Sequence, residues 1–162
     1  MTRVLLSLAL VLVQTLPSKP PSGALSEGEF EQLMSRLARA WSTQDTDLGV
    51  SCFTEDAVYM QPPDQQLYRT TRELRKFFGA LKPGTFMRFH HLAFNAKLQV
   101  GFGEFSFGEE RSAKADHGIV VVELRGGRIA FWREYFQEGP ADFARFIAQD
   151  GKTWKWTIQD YP

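Results

Sequence analysis

The feature that most constrains the fold is a change of periodicity at Pro83–Gly84. Before this point most apolar residues recur at helical spacing, whereas after it they fall in short segments rich in β-branched and aromatic side chains. Three helices followed by a run of strands is an α+β order, and we expect a curved antiparallel sheet wrapped around the helices. A chain of 162 residues can close one core rather than two, so one domain is expected.

Capping residues mark the predicted helices. Ser26 and Glu29 form a capping box before an amphipathic first helix. Asp47 is the predicted N-cap of a short second helix, and a third helix is predicted from Thr70. Pro140 is expected in the first turn of a short C-terminal helix.

Strand patterns occupy most of the remaining chain. A β-prone segment covers 57–60, and four longer ones follow the third helix at 85–99, 100–107, 116–124 and 128–137. Arg125-Gly126-Gly127 joins the last two in a tight hairpin. In the tail, Trp154 and Trp156 share one apolar edge, which we expect to dock over the mouth of the domain or on a partner subunit.

The N-terminus is typical of a secretory signal peptide. An apolar run over 4–13 follows Arg3 and precedes a Pro-containing stretch that ends in Ser22-Gly23-Ala24. A membrane-spanning helix would need about 20 apolar residues. We therefore expect residues 1–24 to be cleaved from an exported protein, periplasmic or secreted, with residues 25–162 as the domain and no membrane contact afterwards.

Composition excludes several classes of function. Without Arg3 and Lys19 the expected mature chain has two more acidic than basic residues, which does not favour nucleic acid. Cys52 is the single cysteine, so an internal disulfide cannot form. His90 and His91 point to opposite faces of a strand and no ligand set stands near them, so neither a metal nor another cofactor is expected.

Four stretches give residues 26–148 a family likeness: Phe53-Thr54-Glu55-Asp56-Ala57-Val58-Tyr59, the run at 103–107, the run at 117–121 and the run at 127–136. They resemble the SnoaL-like, nuclear transport factor 2-like superfamily. The resemblance implies a cone-shaped roll with a hydrophobic pocket at its open end. It also implies a homodimer that pairs through the convex face of the sheet, where Phe131 and Tyr135 would otherwise be exposed.

The strand that contains Glu134 is similar to one in limonene-type epoxide hydrolases, a branch of this superfamily. That similarity implies a catalytic acid at Glu134, a partner carboxylate at Glu104, and water-positioning groups at Tyr59 and Gln61. The arginine that bridges the two acids in that family corresponds to Phe102 here. The similarity therefore implies a site of the same layout without implying epoxide hydrolysis.

Both faces of the strand that contains Glu134 mix apolar and charged residues, so alternation alone does not decide which face is inside, and the resemblance is what places Glu134 in the pocket. Glu134 shares a strand face with Trp132 and Phe136, where lost solvation would raise its pKa toward a value useful in acid–base catalysis. The alternative is a surface glutamate paired with an arginine. Asp116 and His117 are neighbours, so one of them faces the pocket; the hairpin register favours Asp116, and a bulge would exchange them.

Two functions fit these residues. The first is a cofactor-free isomerase, cyclase or hydratase acting on a small apolar organic compound, with Glu134 as acid or base, Glu104 as its partner and Tyr59 as donor to the oxygen that gains charge. The second is a non-catalytic ligand-binding or dimerisation module. The residues expected to line the ligand site are Gln61, Phe102, Asp116, His117, Trp132 and Phe136.

Overall fold

A computed structural model describes residues 23–63 and 65–148. Nearly all of the predicted signal peptide and the whole tail over 152–162 lie outside these ranges. Within the described ranges, four helices and six strands follow one another: α1 Glu27–Thr43, α2 Thr46–Ser51, β1 Phe53–Gln61, β2 Gln66–Arg69, α3 Thr70–Gly79, β3 Thr85–Asn95, β4 Val100–Glu109, β5 Lys114–Arg125, β6 Arg128–Pro140 and α4 Phe143–Ile147.

The α+β class is confirmed, and the strands form one curved, unclosed sheet in the order β2-β1-β6-β5-β4-β3. The expectation of a purely antiparallel sheet is wrong at one place, because β1 runs parallel to β6. The residue pattern of a strand does not reveal whether it runs parallel or antiparallel to its neighbour. A parallel pair needs a long crossover connection, and the segment from β2 to β5 provides it. The other neighbouring strands pair antiparallel.

Helix α1 begins as the sequence predicts. The Ser26 hydroxyl and the Glu29 carboxylate form the reciprocal capping box, and Gln44 ends the helix in the left-handed conformation. One face of the helix is buried and packs toward β3. The buried side chains of this face are Phe30, Leu33, Met34, Leu37, Ala40 and Trp41.

Helix α2 starts two residues earlier than predicted, because Asp45 rather than Asp47 is its N-cap. The Asp45 carboxylate accepts a hydrogen bond from the Leu48 backbone N–H at 2.9 Å. Asp47 instead lies in the first turn and forms an exposed ion pair with Arg75. Both aspartates stand within three residues before Leu48, the first apolar residue of the segment, and aspartate is a favoured N-cap, so the pattern alone does not separate them.

Strand β6 is longer than predicted and displaces the start of α4. Pro140 pairs with Lys114 as the last residue of β6, where its missing N–H costs no ladder hydrogen bond. The N-cap of α4 is Asp142, whose carboxylate accepts from the Arg145 N–H at 2.8 Å. The prediction of Pro140 in the first turn of this helix is therefore wrong.

The two faces of the sheet differ sharply. On β5 and β6, Val120, Val122 and Trp132 are fully buried against the helices. Ile119 and Tyr135, which are paired neighbours, point the other way and are 52% and 51% exposed. The face toward the helices is therefore the core side, and the opposite face carries exposed apolar groups.

Over the described ranges, no helix is both long enough and apolar enough to span a membrane.

Candidate functional site

A small cavity of about 70 Å³ opens between the helices and the core side of the sheet. Its polar side chains other than aromatic ones are Gln66, Asp116 and Glu134. Among the residues that the structure describes, no arginine, lysine or histidine lines it. Its aromatic wall consists of Trp41, Tyr59, Phe77, Phe105, Phe107 and Phe136.

Glu134 is the most deeply held of these polar groups, with 4% of its surface exposed. The Tyr59 hydroxyl lies 2.9 Å from each of its carboxylate oxygens and donates to them. The Trp132 indole N–H donates to Oε2 at 2.8 Å. Parallel pairing of β1 and β6 sets Tyr59 opposite Trp132, which brings both donors to one carboxyl group.

Burial raises the pKa of Glu134 from an ordinary value of 4.5 to about 7, and the nearby charge of Asp116 acts in the same direction. The hydrogen bonds from Trp132 and Tyr59 stabilise the carboxylate and oppose this rise. Around neutral pH Glu134 therefore exists in both protonation states. That is the property that a general acid or base requires.

Tyr59 remains a phenol under the same conditions. Burial, followed by the Glu134 charge, raises the pKa of its hydroxyl well above the ordinary range. A neutral phenol can donate one hydrogen bond, and here the Tyr59 hydroxyl donates it to the Glu134 carboxyl group. The Tyr59 hydroxyl therefore orients Glu134 and has no proton left for a ligand, whereas the sequence suggested that it donates to the ligand.

Asp116 supplies the second carboxyl group of the cavity. Burial, with a smaller contribution from the charge of Glu138, raises its pKa. Asp116 pairs with Glu138 on β6, two residues beyond Phe136. The structure therefore brings Asp116, Phe136 and Glu134 together on one wall.

His117 lies on the opposite face of β5 and does not reach the cavity. It is 2% exposed, its Nε2 lies 2.7 Å from the Pro140 carbonyl, and its Nδ1 lies 2.7 Å from the Ser106 hydroxyl. A carbonyl only accepts, so a neutral His117 carries its proton on Nε2 and accepts from Ser106 through Nδ1. Ser106 then accepts from His90 Nε2 at 2.7 Å. These bonds tie β3, β4 and β5 to the end of β6, a structural role.

Glu104 is also on the far side of the sheet, which corrects the expected carboxylate pair. Its neighbour Phe105 lines the cavity, so strand alternation turns Glu104 outward. There its carboxylate lies 2.6 Å from the Nδ1 of exposed His91. Phe102 is on the same outer face and is 46% exposed. Neither Glu104 nor Phe102 meets Glu134.

Gln61 is buried on the core side but does not line the cavity, and its amide donates to Gln65 at 3.0 Å. Gln66, its register partner on β2, lines the cavity in its place. The sequence missed Gln66 because β2 was not predicted. Trp41 was not among the predicted site residues, because its place at the end of the apolar face of α1 does not distinguish a core residue from one in a cavity wall.

Two buried polar atoms in the cavity wall have no hydrogen-bond partner within the described ranges. They are the indole Nε1 of Trp41 and the amide Oε1 of Gln66. Separately, no group of three histidine, cysteine, aspartate or glutamate side chains in these ranges is arranged to hold a metal ion. The chemistry that this arrangement offers is proton exchange at Glu134 beside a second carboxyl group.

The model of the SnoaL-like domain family matches residues 34–132, and the chain belongs to that family. The match runs from the middle of α1 to Trp132 on β6, so it includes Tyr59 and Asp116 and ends just before Glu134. No curated protein matches the sequence.

Solved structures share the fold at low sequence identity. A protein of unknown function with a cystatin-like fold from Methylobium petroleophilum PM1 is 17% identical over 86% of this chain and 99% of its own, with a TM-score of 0.64. The epoxide hydrolase/cyclase-like enzyme SalBIII, of pyran ring formation in salinomycin, is 17% identical over 71% and 98%, with a TM-score of 0.63. An LEH-like epoxide hydrolase from M. tuberculosis is 18% identical over 68% and 84%, with a TM-score of 0.57.

Proposed function

We propose that this protein is a cofactor-free enzyme that moves protons on a small, largely apolar organic compound bound in the aromatic cavity. The observation that carries the proposal is Glu134, a buried carboxyl group whose pKa of about 7 lets it act as both base and acid at neutral pH. The aromatic wall suits an apolar compound, and it keeps water away from the reacting groups.

In the simplest reaction of this kind, the Glu134 carboxylate removes a proton from a carbon next to a polarised group. The resulting carboxylic acid returns a proton to another atom of the same molecule, so the product is an isomer. Tyr59 and Trp132 fix the Glu134 carboxyl group in one orientation throughout. Asp116 takes the role that the sequence suggested for Glu104, because it is the second carboxyl group on the cavity wall.

Exchange of carbon-bound protons with solvent tests the proposal without a known substrate. A small ketone such as cyclopentanone is incubated with the protein in D₂O at pH 7, and loss of its α-proton signal is followed by NMR. We expect the wild type to accelerate exchange, and Glu134→Gln to lower the rate by about a hundredfold, a typical contribution of one general base. Glu104→Gln, on the outer face, should retain the wild-type rate.

Exchange at the buffer rate by the wild type, over a panel of ketones that fit the cavity, would refute the enzyme proposal. An equal rate for the wild type and Glu134→Gln would remove Glu134 from the chemistry and leave only its structural role.

A second candidate function, a dimerising binding module, is favoured by the outer face of the sheet. Phe102, Ile119 and Tyr135 lie there on three adjacent strands and are each about half exposed. Exposed apolar groups that are contiguous mark protein–protein contacts. The cavity of about 70 Å³ is also small beside the roughly 300 Å³ or more of usual ligand pockets. We propose that the protein is a homodimer through this face, whether or not it is catalytic.

A further inference from the structure

The proposed chemistry needs a hydrogen-bond donor for the ligand, and the two donors that contact Glu134 are already in use. The Tyr59 hydroxyl and the Trp132 indole N–H both donate to Glu134. Each has a single proton to give. A polar ligand atom that needs stabilisation must therefore find another group.

Trp41 offers one such group. It is fully buried, it forms part of the cavity wall, and its indole N–H has no partner within residues 23–63 and 65–148. A buried donor left without a partner costs about 1–3 kcal/mol, and folded proteins contain few of them. An unpaired donor beside a cavity indicates where an acceptor atom of a ligand fits.

The ring of Trp41 lies beside the two residues that hold the acid. Its ring centroid lies 5.6 Å from that of Trp132 and 6.4 Å from that of Tyr59, the two residues that hold Glu134. Trp41 and Glu134 line the same small cavity, so an acceptor atom that reaches the Trp41 N–H from this cavity lies near the Glu134 carboxyl group. A proton could then leave or reach a carbon adjacent to that atom.

The acidic groups of the cavity wall restrict the chemical class of the ligand that carries the acceptor atom. Asp116 and Glu134 are both carboxyl groups, and no basic side chain of the described residues lines the cavity. A carboxylate or phosphate ligand would meet repulsion that nothing offsets. An uncharged oxygen, as in a ketone, an ether or an epoxide, can accept from the Trp41 N–H without electrostatic repulsion from the two carboxyl groups.

We propose that the Trp41 indole N–H donates a hydrogen bond to an uncharged oxygen of the ligand, and that the ligands of this cavity are small neutral oxygen-containing compounds. The inference rests on the proposed function, since it concerns the same cavity. It transfers to Trp41 the donor role that the sequence suggested for Tyr59.

The test follows the indole N–H signals by ¹H–¹⁵N NMR while cyclopentanone is added, with cyclopentane as the matched probe that lacks the oxygen. The chain has four tryptophans. Trp132→Phe, Trp154→Phe and Trp156→Phe each remove one signal, so the Trp41 signal is assigned even if Trp41→Phe does not fold. We expect cyclopentanone to shift the Trp41 proton downfield, as hydrogen bonding does, and cyclopentane to produce no downfield shift.

Affinities in Trp41→Phe provide the second measurement. Loss of one net hydrogen bond predicts about fivefold weaker binding of cyclopentanone with unchanged binding of cyclopentane. Equal weakening of both probes would mean that only packing was lost, and it would overturn the inference. So would the absence of a ketone-induced shift of the Trp41 signal.

The two proposals can fail separately. A ¹³C titration of the Glu134 carboxyl group on the same sample tests the acid–base property without any ligand. A Glu134 pKa near 7 with a stationary Trp41 signal overturns only the role of Trp41. A Glu134 pKa near its ordinary value, with a Trp41 signal that shifts, overturns the proposed function and leaves a binding site for neutral oxygen compounds.

Discussion

The Tyr59 hydroxyl lies 2.9 Å from both oxygens of the Glu134 carboxyl group. These residues are far apart in sequence and meet because β1 lies parallel to β6. Tyr59 stacks on Trp132 with ring centroids 5.6 Å apart, so the second donor to Glu134 is held in the same layer. The carboxyl group is therefore fixed by two aromatic residues, and each can be changed separately.

Replacing Tyr59 with phenylalanine should raise the pKa of Glu134 further. The hydroxyl stabilises the carboxylate and opposes the effect of burial, so its removal favours the protonated form. We expect a rise of about one pKa unit, since one unit corresponds to about 1.4 kcal/mol and hydrogen bonds to charged groups contribute about that much. The measurement is a ¹³C NMR titration of the Glu134 carboxyl group.

Tyr68→Phe is the matched control for this change. Tyr68 packs against Tyr59 at a centroid distance of 5.9 Å and forms no hydrogen bond with Glu134. It should leave the Glu134 pKa close to the wild-type value. An equal rise in both variants would mean that altered packing, rather than the Tyr59 hydrogen bond, sets the pKa.

Glu134→Gln should remove a pH dependence from the stability of the protein. The folded-state pKa of about 7 lies above the ordinary 4.5, so the folded state binds this proton more tightly than the unfolded state. The resulting stabilisation is fully present below about pH 4.5 and is lost as the pH rises through about 7. At about 1.4 kcal/mol per unit, the wild type should lose about 3 kcal/mol that the variant retains.

Urea denaturation at pH 5 and pH 8.5 measures this difference. The free energy of unfolding of Glu134→Gln, relative to the wild type, should be higher at pH 8.5 than at pH 5. A variant that is destabilised equally at both pH values would instead show that the pKa of Glu134 is not raised in the folded state.

The sequence predicted more of the fold than of the site, and the reason is physical. Capping and apolar spacing are local, so Ser26, Glu29 and the buried face of α1 were recognised from neighbouring residues. The parallel pairing of β1 with β6 depends on contacts between distant residues. No local pattern in either strand specifies it.

Glu134 was predicted to face the cavity from the strand pattern and the family likeness together. Trp132 and Phe136 flanked it at strand spacing, and the family likeness placed that face inside the cone. For Glu104, the same likeness suggested an inward position, but Gly103 and Phe105 occupy the core side of β4. The hairpin register favoured Asp116 over His117 as the residue facing the pocket, and Asp116 does line the cavity, but the family likeness assigned the role of second carboxyl group to Glu104.

Asp116→Asn should lower the pKa of Glu134 toward its ordinary value. The negative charge of Asp116 raises that pKa, and the amide has the same shape without the charge. The carboxyl titration of Glu134 measures the change. Glu104→Gln removes a charge from the outer face and should have little effect; a comparable shift in that control would indicate a general electrostatic effect.

His117→Ala should destabilise the protein without changing the titration of Glu134. The substitution removes the hydrogen bonds of His117 with Ser106 and with the Pro140 carbonyl. It also removes the imidazole ring, whose centroid lies 4.2 Å from that of Phe146. A loss of about 2–3 kcal/mol in the free energy of unfolding is expected. His91→Ala is the control, because the His91 side chain is 78% exposed and its loss should cost less than about 0.5 kcal/mol.

Ile119→Arg should convert a dimer into a monomer that remains folded. Ile119 is 52% exposed at the centre of the outer face, between Glu104 on β4 and Tyr135 on β6. In a symmetric dimer each copy would bring this arginine close to its counterpart, so like charges would face each other across an apolar contact. The side chain points away from the core, and the melting temperature of the isolated monomer should change little.

Native mass spectrometry and light scattering at micromolar concentration measure the subunit count. Leu98→Arg is the matched control, because Leu98 is 66% exposed but lies in the turn after β3, away from Ile119. We expect a dimer for the wild type and for this control, and a monomer for Ile119→Arg. A monomeric wild type would refute the dimer directly. A dimer that survives Ile119→Arg unchanged would place the contact on a different surface, and Phe102 and Tyr135 would then need another explanation for their exposure.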